Sequence, residues 1–308
     1  MKFIKYLFLG LLLAGVAGCG VQTTPPPVTE PEPAVQVETT PTPVPSTPTP
    51  EPTPEALAES TTVSTIETTE EITDAMTAEP TAEAAETAPP IEPGEAGMVT
   101  YHTLEMSDGT SLDYAVALPA AFDPAQTYPI LLALPPGGQD RAMVQTGLDR
   151  YWAAQAIELG WIVLSPAAPD GKLFFQGSER LIPEFLERTA TIYRPEGDKY
   201  HLGGISNGGI SAFRITVNHP ELIKSLIVLP GLPHSEEDFE KLELLKDIPV
   251  AMFAGEQDTG WVARMEATEE ALSNFGGQVS LEIVPNEGHV IQSLDGGEEL
   301  FALLESFR

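Results

Sequence analysis

The sequence predicts an α/β fold for residues 98–308, a mostly parallel sheet with helices on both faces and no large lid. Three observations predict it. Short β-rich runs alternate with stretches of helical period along the whole region, the pattern of repeated strand–helix units. Several runs, such as Ile130–Leu134 and Val250–Ala254, are apolar without interruption, as strands covered on both faces require. The first two runs read as an antiparallel pair ahead of the parallel units.

In chain order, strands are expected at Val99–Glu105, Leu112–Leu118, Ile130–Leu134, Trp161–Ser165, Tyr200–Ile205, Ser225–Leu229, Val250–Ala254 and Ser280–Val284. Helices are expected at Asp149–Leu159, Ile182–Tyr193, Asn207–Val217, Glu236–Leu245, Val262–Phe275 and Gly297–Phe307. Only about 20 residues separate the Ser225–Leu229 and Val250–Ala254 runs, too few for a large lid.

The first third of the chain has a different composition. No aromatic residue lies between Phe8 and Tyr101, and no Lys or Arg between Lys5 and Arg141. Such a stretch cannot bury enough apolar surface to offset chain entropy, so residues 19–97 are expected to be a disordered tether rich in Thr, Pro, Glu and Ala. Its Pro-Thr alternation, as in Thr40-Pro41-Thr42-Pro43, favours extended, solvated backbone. Residues 1–18 read as a secretion signal: Lys2 and Lys5, an apolar run from Tyr6 to Val16, then small residues. Val16-Ala17-Gly18-Cys19 resembles a bacterial lipobox, in which the cysteine becomes the lipid-bearing N-terminus. Two acyl chains on Cys19 give stable anchoring, which places the protein outside the cytoplasm on a membrane. Cys19 is the only cysteine, so no intrachain disulfide forms.

The formal charge is −31. Residues 98–308 carry 13 Lys/Arg against 31 Asp/Glu, a formal charge of −18. An acidic surface repels phosphate backbones, and nucleic acid is excluded as a partner.

One segment carries the chemistry. Gly204-Ile205-Ser206-Asn207-Gly208 matches G-x-S-x-G at the end of a predicted strand and the start of a predicted helix. With 26 glycines in 308 residues, roughly 0.1 match arises by chance, so context decides. In a strained strand-to-helix turn the flanking glycines let the backbone pass, and the serine hydroxyl stands at a helix N-terminus. Ser206 is the candidate nucleophile.

Serine needs a base, and the base an orienting carboxylate. Five histidines are available. His102 and His201 lie in strands upstream of the serine, His219 closes the helix after it, and His234 sits in the loop after Ser225–Leu229. His289 follows the last predicted strand in a loop, which makes it the candidate base. Asp258 lies just past the Val250–Ala254 strand, between Ser206 and His289, and is the candidate acid, with Glu256 as its local competitor. The order Ser, Asp, His is the one this motif accompanies. An oxyanion hole needs two backbone N–H groups. The Asn207 amide is one candidate, and Gly137 or Gly138 in Pro135-Pro136-Gly137-Gly138-Gln139 supplies the other.

These residues, above all Lys199-Tyr200-His201-Leu202-Gly203-Gly204-Ile205-Ser206-Asn207-Gly208-Gly209, resemble the α/β-hydrolase superfamily over residues 98–308. The likeness is nearest to small esterases of the dienelactone-hydrolase, feruloyl-esterase and polyhydroxybutyrate-depolymerase kinds, and to the catalytic domain of prolyl-oligopeptidase-type peptidases. One departure is Pro135-Pro136, where those esterases usually have His-Gly. The resemblance implies a serine hydrolase acting on carboxylic esters, small or polymer-borne, through an acyl-enzyme. A prolyl-oligopeptidase-type peptidase is the rival enzyme, and a surface binding module that keeps the fold is the rival outside catalysis. No metal cluster, Walker loop or dinucleotide fingerprint appears, so no cofactor is implied. Trp261, three residues past Asp258, is placed to flank a sugar or aromatic ring or to pack.

Overall fold

The computed structural model describes residues 91–308; Cys19, the signal segment and the tether as far as residue 90 lie outside the described residues. Ten strands form. They are β1 Val99–Glu105, β2 Ser111–Ala117, β3 Thr127–Tyr128, β4 Ile130–Leu134, β5 Ile162–Pro166, β6 Arg194–Pro195, β7 Tyr200–Gly204, β8 Ile223–Val228, β9 Val250–Gly255 and β10 Val279–Val284. Eight make one sheet in the order β1-β2-β5-β4-β7-β8-β9-β10, and the short β3 and β6 pair separately. The β1–β2 and β2–β5 pairings are antiparallel and the rest of the large sheet is parallel. Residues 91–97, ahead of the expected start at 98, lie against the domain: Ile91 packs on its core and the Gly94 N–H donates to the Tyr193 hydroxyl at 3.0 Å.

Seven α-helices accompany the strands: α1 Arg141–Gly147, α2 Ala153–Leu159, α3 Ile182–Thr189, α4 Asn207–Asn218, α5 Glu236–Glu240, α6 Thr259–Asn274 and α7 Glu298–Ser306. Strand alternation distributes them. Leu131 and Ala133 of β4 point into a core layer with Val144 of α1, Trp152 between α1 and α2, Ala156 of α2, and Phe301 and Leu304 of α7. Ile130, Leu132 and Leu134 point the other way, into a layer with Phe185 of α3, Phe213 of α4 and Leu272 of α6. Both sheet faces are thus covered, which is why these strands are apolar throughout.

One helix differs from expectation. The stretch predicted from Asp149 begins at Arg141, because the Asp140 carboxylate caps the Met143 amide at 2.9 Å. It then passes through a π-turn at Leu148–Trp152 before continuing as α2. The helical period is broken at that turn, and the sequence pattern registers only the later part.

His201 lies in the middle of β7, 2% exposed, with Nδ1 2.7 Å from the Ser225 hydroxyl and its ring 4.8 Å from that of Trp161. Burial, with the Lys224 and Arg308 cations behind it, pushes its pKa down to about 4. In the unfolded chain a histidine titrates near 6.5. The unfolded state therefore takes up a proton first as pH falls. The stability held above pH 6.5 is lost progressively towards pH 4, by on the order of 3 kcal/mol. His201→Gln is expected to flatten the fall in urea midpoint between pH 7 and pH 4.5. Equal slopes in the two proteins would remove His201 as the cause.

Candidate active site

The loops that leave the carboxyl ends of β4, β7, β9 and β10 meet at one edge of the sheet, where open α/β sheets place their sites. After β7, Ser206 adopts φ 56° and ψ −115°, a conformation sparsely used by any residue with a side chain. The turn is closed by Ser206 N–H donating to the Pro230 carbonyl at 2.9 Å and Gly208 N–H to Ile205 at 2.8 Å. A Cβ on Gly208 would stand 2.6 Å from the Pro135 carbonyl oxygen and nearer still to that of Leu134. Only glycine lets α4 start this close to β4.

The structure brings Ser206, His289 and Asp258 together. His289 Nε2 is 2.8 Å from Ser206 Oγ, and His289 Nδ1 is 2.6 Å from Asp258 Oδ2. The side chain of His289 is 42% exposed and that of Asp258 19%, so the aspartate sits behind the ring and the ring opens towards solvent. Glu256, the competing acid, is used elsewhere: its Oε2 accepts the Asn286 N–H at 2.9 Å. Trp261 packs partly buried on the core and sets its ring 5.3 Å from that of His289.

The acid loop and the histidine loop are latched to each other. Glu256 N–H donates to the Val284 carbonyl and Gln257 N–H to that of Glu287, both at 2.9 Å. The Glu287 carboxylate accepts from Gln292 N–H at 3.2 Å and Ser293 N–H at 3.0 Å, which closes the far side of the histidine loop.

The 135–139 loop crosses in front of α4. Asn207 Nδ2 donates to the Gly137 carbonyl at 2.8 Å, joining the residue after the serine to that loop. Gly137, at φ 56°, lines the pocket beside Ser206, whereas Gly138 is not part of its wall. A residue that sequence reasoning passed over holds this loop. Gln139 is completely buried at φ 55°. Its Nε2 donates to the Pro135 carbonyl at 3.2 Å and the Ser211 hydroxyl at 3.0 Å, while its Oε1 accepts the Phe174 N–H at 2.8 Å. Its carbonyl accepts the Ala168 N–H at 2.7 Å. Flanked by Gly138 and Asp140 it reads as a turn residue, and partners such as Ser211 and Phe174 lie far along the chain.

Beside Ser206 and His289 opens a pocket of about 400 Å³, walled by Pro136, Gly137, Met143, Thr146, Ile205 and Val290. No large lid covers it among the described residues; the β8–β9 connection contains only α5 and a 3-10 turn at Lys241–Leu245. Among the described residues no cluster of three His, Cys, Asp or Glu side chains is arranged to hold a metal, and no helix is long and apolar enough to cross a membrane.

No family model matches the sequence, and no curated protein does either. Solved structures do match it. A thermostable esterase aligns over 61% of this chain and 55% of its own, with TM-score 0.52 and 19% identity. An S-formylglutathione hydrolase from Agrobacterium tumefaciens aligns over 70% of this chain and 96% of its own, with TM-score 0.56 and 16% identity. Dipeptidyl peptidase 4 of Porphyromonas gingivalis aligns over 68% of this chain but 34% of its own, with TM-score 0.50 and 16% identity. This chain therefore spans little more than half of the esterase's length and about a third of the peptidase's. The described domain has the α/β-hydrolase fold, which it shares with these solved structures.

Proposed function

We propose that the protein is a serine hydrolase of carboxylic esters, with Ser206 as nucleophile, His289 as general base and acid, and Asp258 as the group that orients the imidazole. The observation that carries this reading is the hydrogen-bonded chain from Asp258 through His289 to Ser206, ending on a serine held in a strained turn. His289 Nε2 takes the Ser206 proton as Oγ bonds to the ester carbonyl carbon. The carbonyl oxygen becomes an oxyanion, for which the backbone amides of Asn207 and of Gly137 or Gly138 are the donors. Collapse breaks the bond to the alkoxy oxygen, which leaves as alcohol with the proton from His289. Water then attacks the acyl-enzyme by the same route, and the acid is released.

The open, largely apolar pocket suits short acyl esters or esters borne on a polymer. The match to the S-formylglutathione hydrolase runs nearly the full length of that protein, whereas the match to the peptidase takes in about a third of it, which favours the esterase over the peptidase reading. The lipobox-like Val16-Ala17-Gly18-Cys19 supports display on the outer side of a membrane, with residues 20–90 as the spacer.

A membrane-impermeant fluorophosphonate added to bacterial cells producing the full chain tests both statements. Labelling mapped to Ser206 on intact cells, with turnover of p-nitrophenyl butyrate and none of glycyl-prolyl-p-nitroanilide, is the expected result. Absent labelling of the folded protein overturns the hydrolase reading. Anilide turnover exceeding that of the ester moves the peptidase reading ahead. Labelled protein that is equally membrane-bound after Cys19→Ser overturns the anchor.

A further inference from the structure

Away from Ser206 and His289 the pocket is walled mainly by apolar groups, with one charged corner. Among its lining residues, Arg150 carries the only fixed charge. It stands on an acidic domain, where cations are few, so its position in this wall calls for a reason. The geometry points to recognition of a carboxylate: we propose that Arg150 makes this a site for esters bearing an anionic carboxylate on the part that enters the pocket. This deepens the serine-hydrolase reading and rests on it.

Two features build the corner. The first is the π-turn Leu148–Trp152, which carries both Arg150 and Tyr151. Such turns are rare and are found frequently at functional sites. This one is held in place from outside, since the Gly296 N–H donates to the Arg150 carbonyl at 2.8 Å and the Tyr151 hydroxyl donates to the Ile291 carbonyl at 3.1 Å. The backbone beneath the guanidinium is thereby tied to the loop that follows His289.

The second is the weak neutralisation of the charge. Asp295 Oδ1 lies 3.5 Å from Arg150 Nε, longer than the 2.7–2.9 Å of a tight charge-assisted hydrogen bond. The Arg150 side chain remains 36% exposed and its Cζ stands 5.9 Å from the Tyr151 ring centre. A planar guanidinium in this state offers paired donors that match a carboxylate, which an ammonium does not. The apolar wall of Met143, Ile205 and Val290 then receives the short chain between that carboxylate and the scissile ester.

The test compares near-isosteric esters with the full chain. On the acyl side, p-nitrophenyl hemisuccinate is set against p-nitrophenyl butyrate. On the alcohol side, carboxymethyl acetate is set against propyl acetate. Selectivity is read as the ratio of kcat/KM within each pair, so a general change in activity cancels. In at least one pair the anionic ester is expected to be preferred by about 10- to 100-fold. Arg150→Met is expected to reduce that ratio at least tenfold, and Arg150→Lys to reduce it less. Preference for the neutral ester in both pairs overturns the proposal, as does an anionic preference that survives Arg150→Met. Absence of turnover on all four esters, with Ser206 unlabelled by fluorophosphonate, instead overturns the hydrolase reading beneath it.

Discussion

Ser206→Ala is expected to lower kcat for p-nitrophenyl butyrate by on the order of 10⁶-fold, and His289→Ala by nearly as much. The two changes remove different atoms from one proton-transfer unit. Without Oγ there is nothing to acylate, and without Nε2 the hydroxyl 2.8 Å away keeps its proton and remains a weak nucleophile. The double variant Ser206→Ala/His289→Ala should therefore be little worse than either single one, far from the product of their effects. Asp258→Asn is expected to cost less, about 10⁴-fold in kcat, because the ring stays in place while its Nδ1–H loses a charged partner and its tautomer preference. Folding is not at stake in the first two variants, since Ser206 Oγ bonds only to His289 among the described residues and the His289 ring is half exposed. Steady-state kinetics with circular dichroism on each protein checks the set. Additive losses in the double variant, or a folded Ser206→Ala protein that keeps more than a hundredth of the native kcat, would remove Ser206 and His289 from the roles proposed.

How much of this was legible in the sequence follows from the range of the information. The eight strands of the large sheet announce themselves through local runs of apolar residues, and each is found within two residues of its expected bounds. Ser206 was legible because the elbow compresses its steric requirement into five consecutive residues. Asp258 and His289 were legible only through chain order, each following a strand at the carboxyl edge; nothing local to His289 separates it from His234. Three features were not legible, and all depend on distant partners. Gln139 looks like part of a turn until Ser211 and Phe174 are brought to it. The π-turn breaks the helical period at Leu148–Trp152, so the helix from Arg141 lost its first two turns in the sequence pattern. The latch between the loops after β9 and β10 joins residues about 30 positions apart through backbone amides and carbonyls, groups that every residue except proline possesses in full.

Gly255→Ala is expected to separate Asp258 from His289 and to lower kcat by about 10²-fold, with a loss of stability of about 3 kcal/mol. Gly255 ends β9 three residues before Asp258. A Cβ built there would stand 2.6 Å from the carbonyl carbon and oxygen of Glu287 and closer still to the Gly288 carbonyl oxygen. Those atoms are backbone, so no side-chain rotation relieves the clash. One of the two loops must move, and the latch makes the choice costly. Moving the 286–289 segment stretches the Gln257 N–H to Glu287 carbonyl bond of 2.9 Å and carries His289 away from Asp258, whose 2.6 Å contact has no slack. Moving the end of β9 instead disturbs its parallel pairing with β10, where Gly255 stands opposite Val284. Gly288→Ala supplies the internal comparison, because a Cβ at that position meets nothing within 4 Å and its φ is not in the left-handed range. It is expected to leave kcat within about threefold of native and stability within about 0.5 kcal/mol, although it adjoins His289. Urea melts and p-nitrophenyl butyrate kinetics on the two variants separate the explanations. If Gly288→Ala is the more damaging change, flexibility of the histidine loop matters more than the close approach of β9. If Gly255→Ala is the more damaging, that approach holds the acid and the base in register.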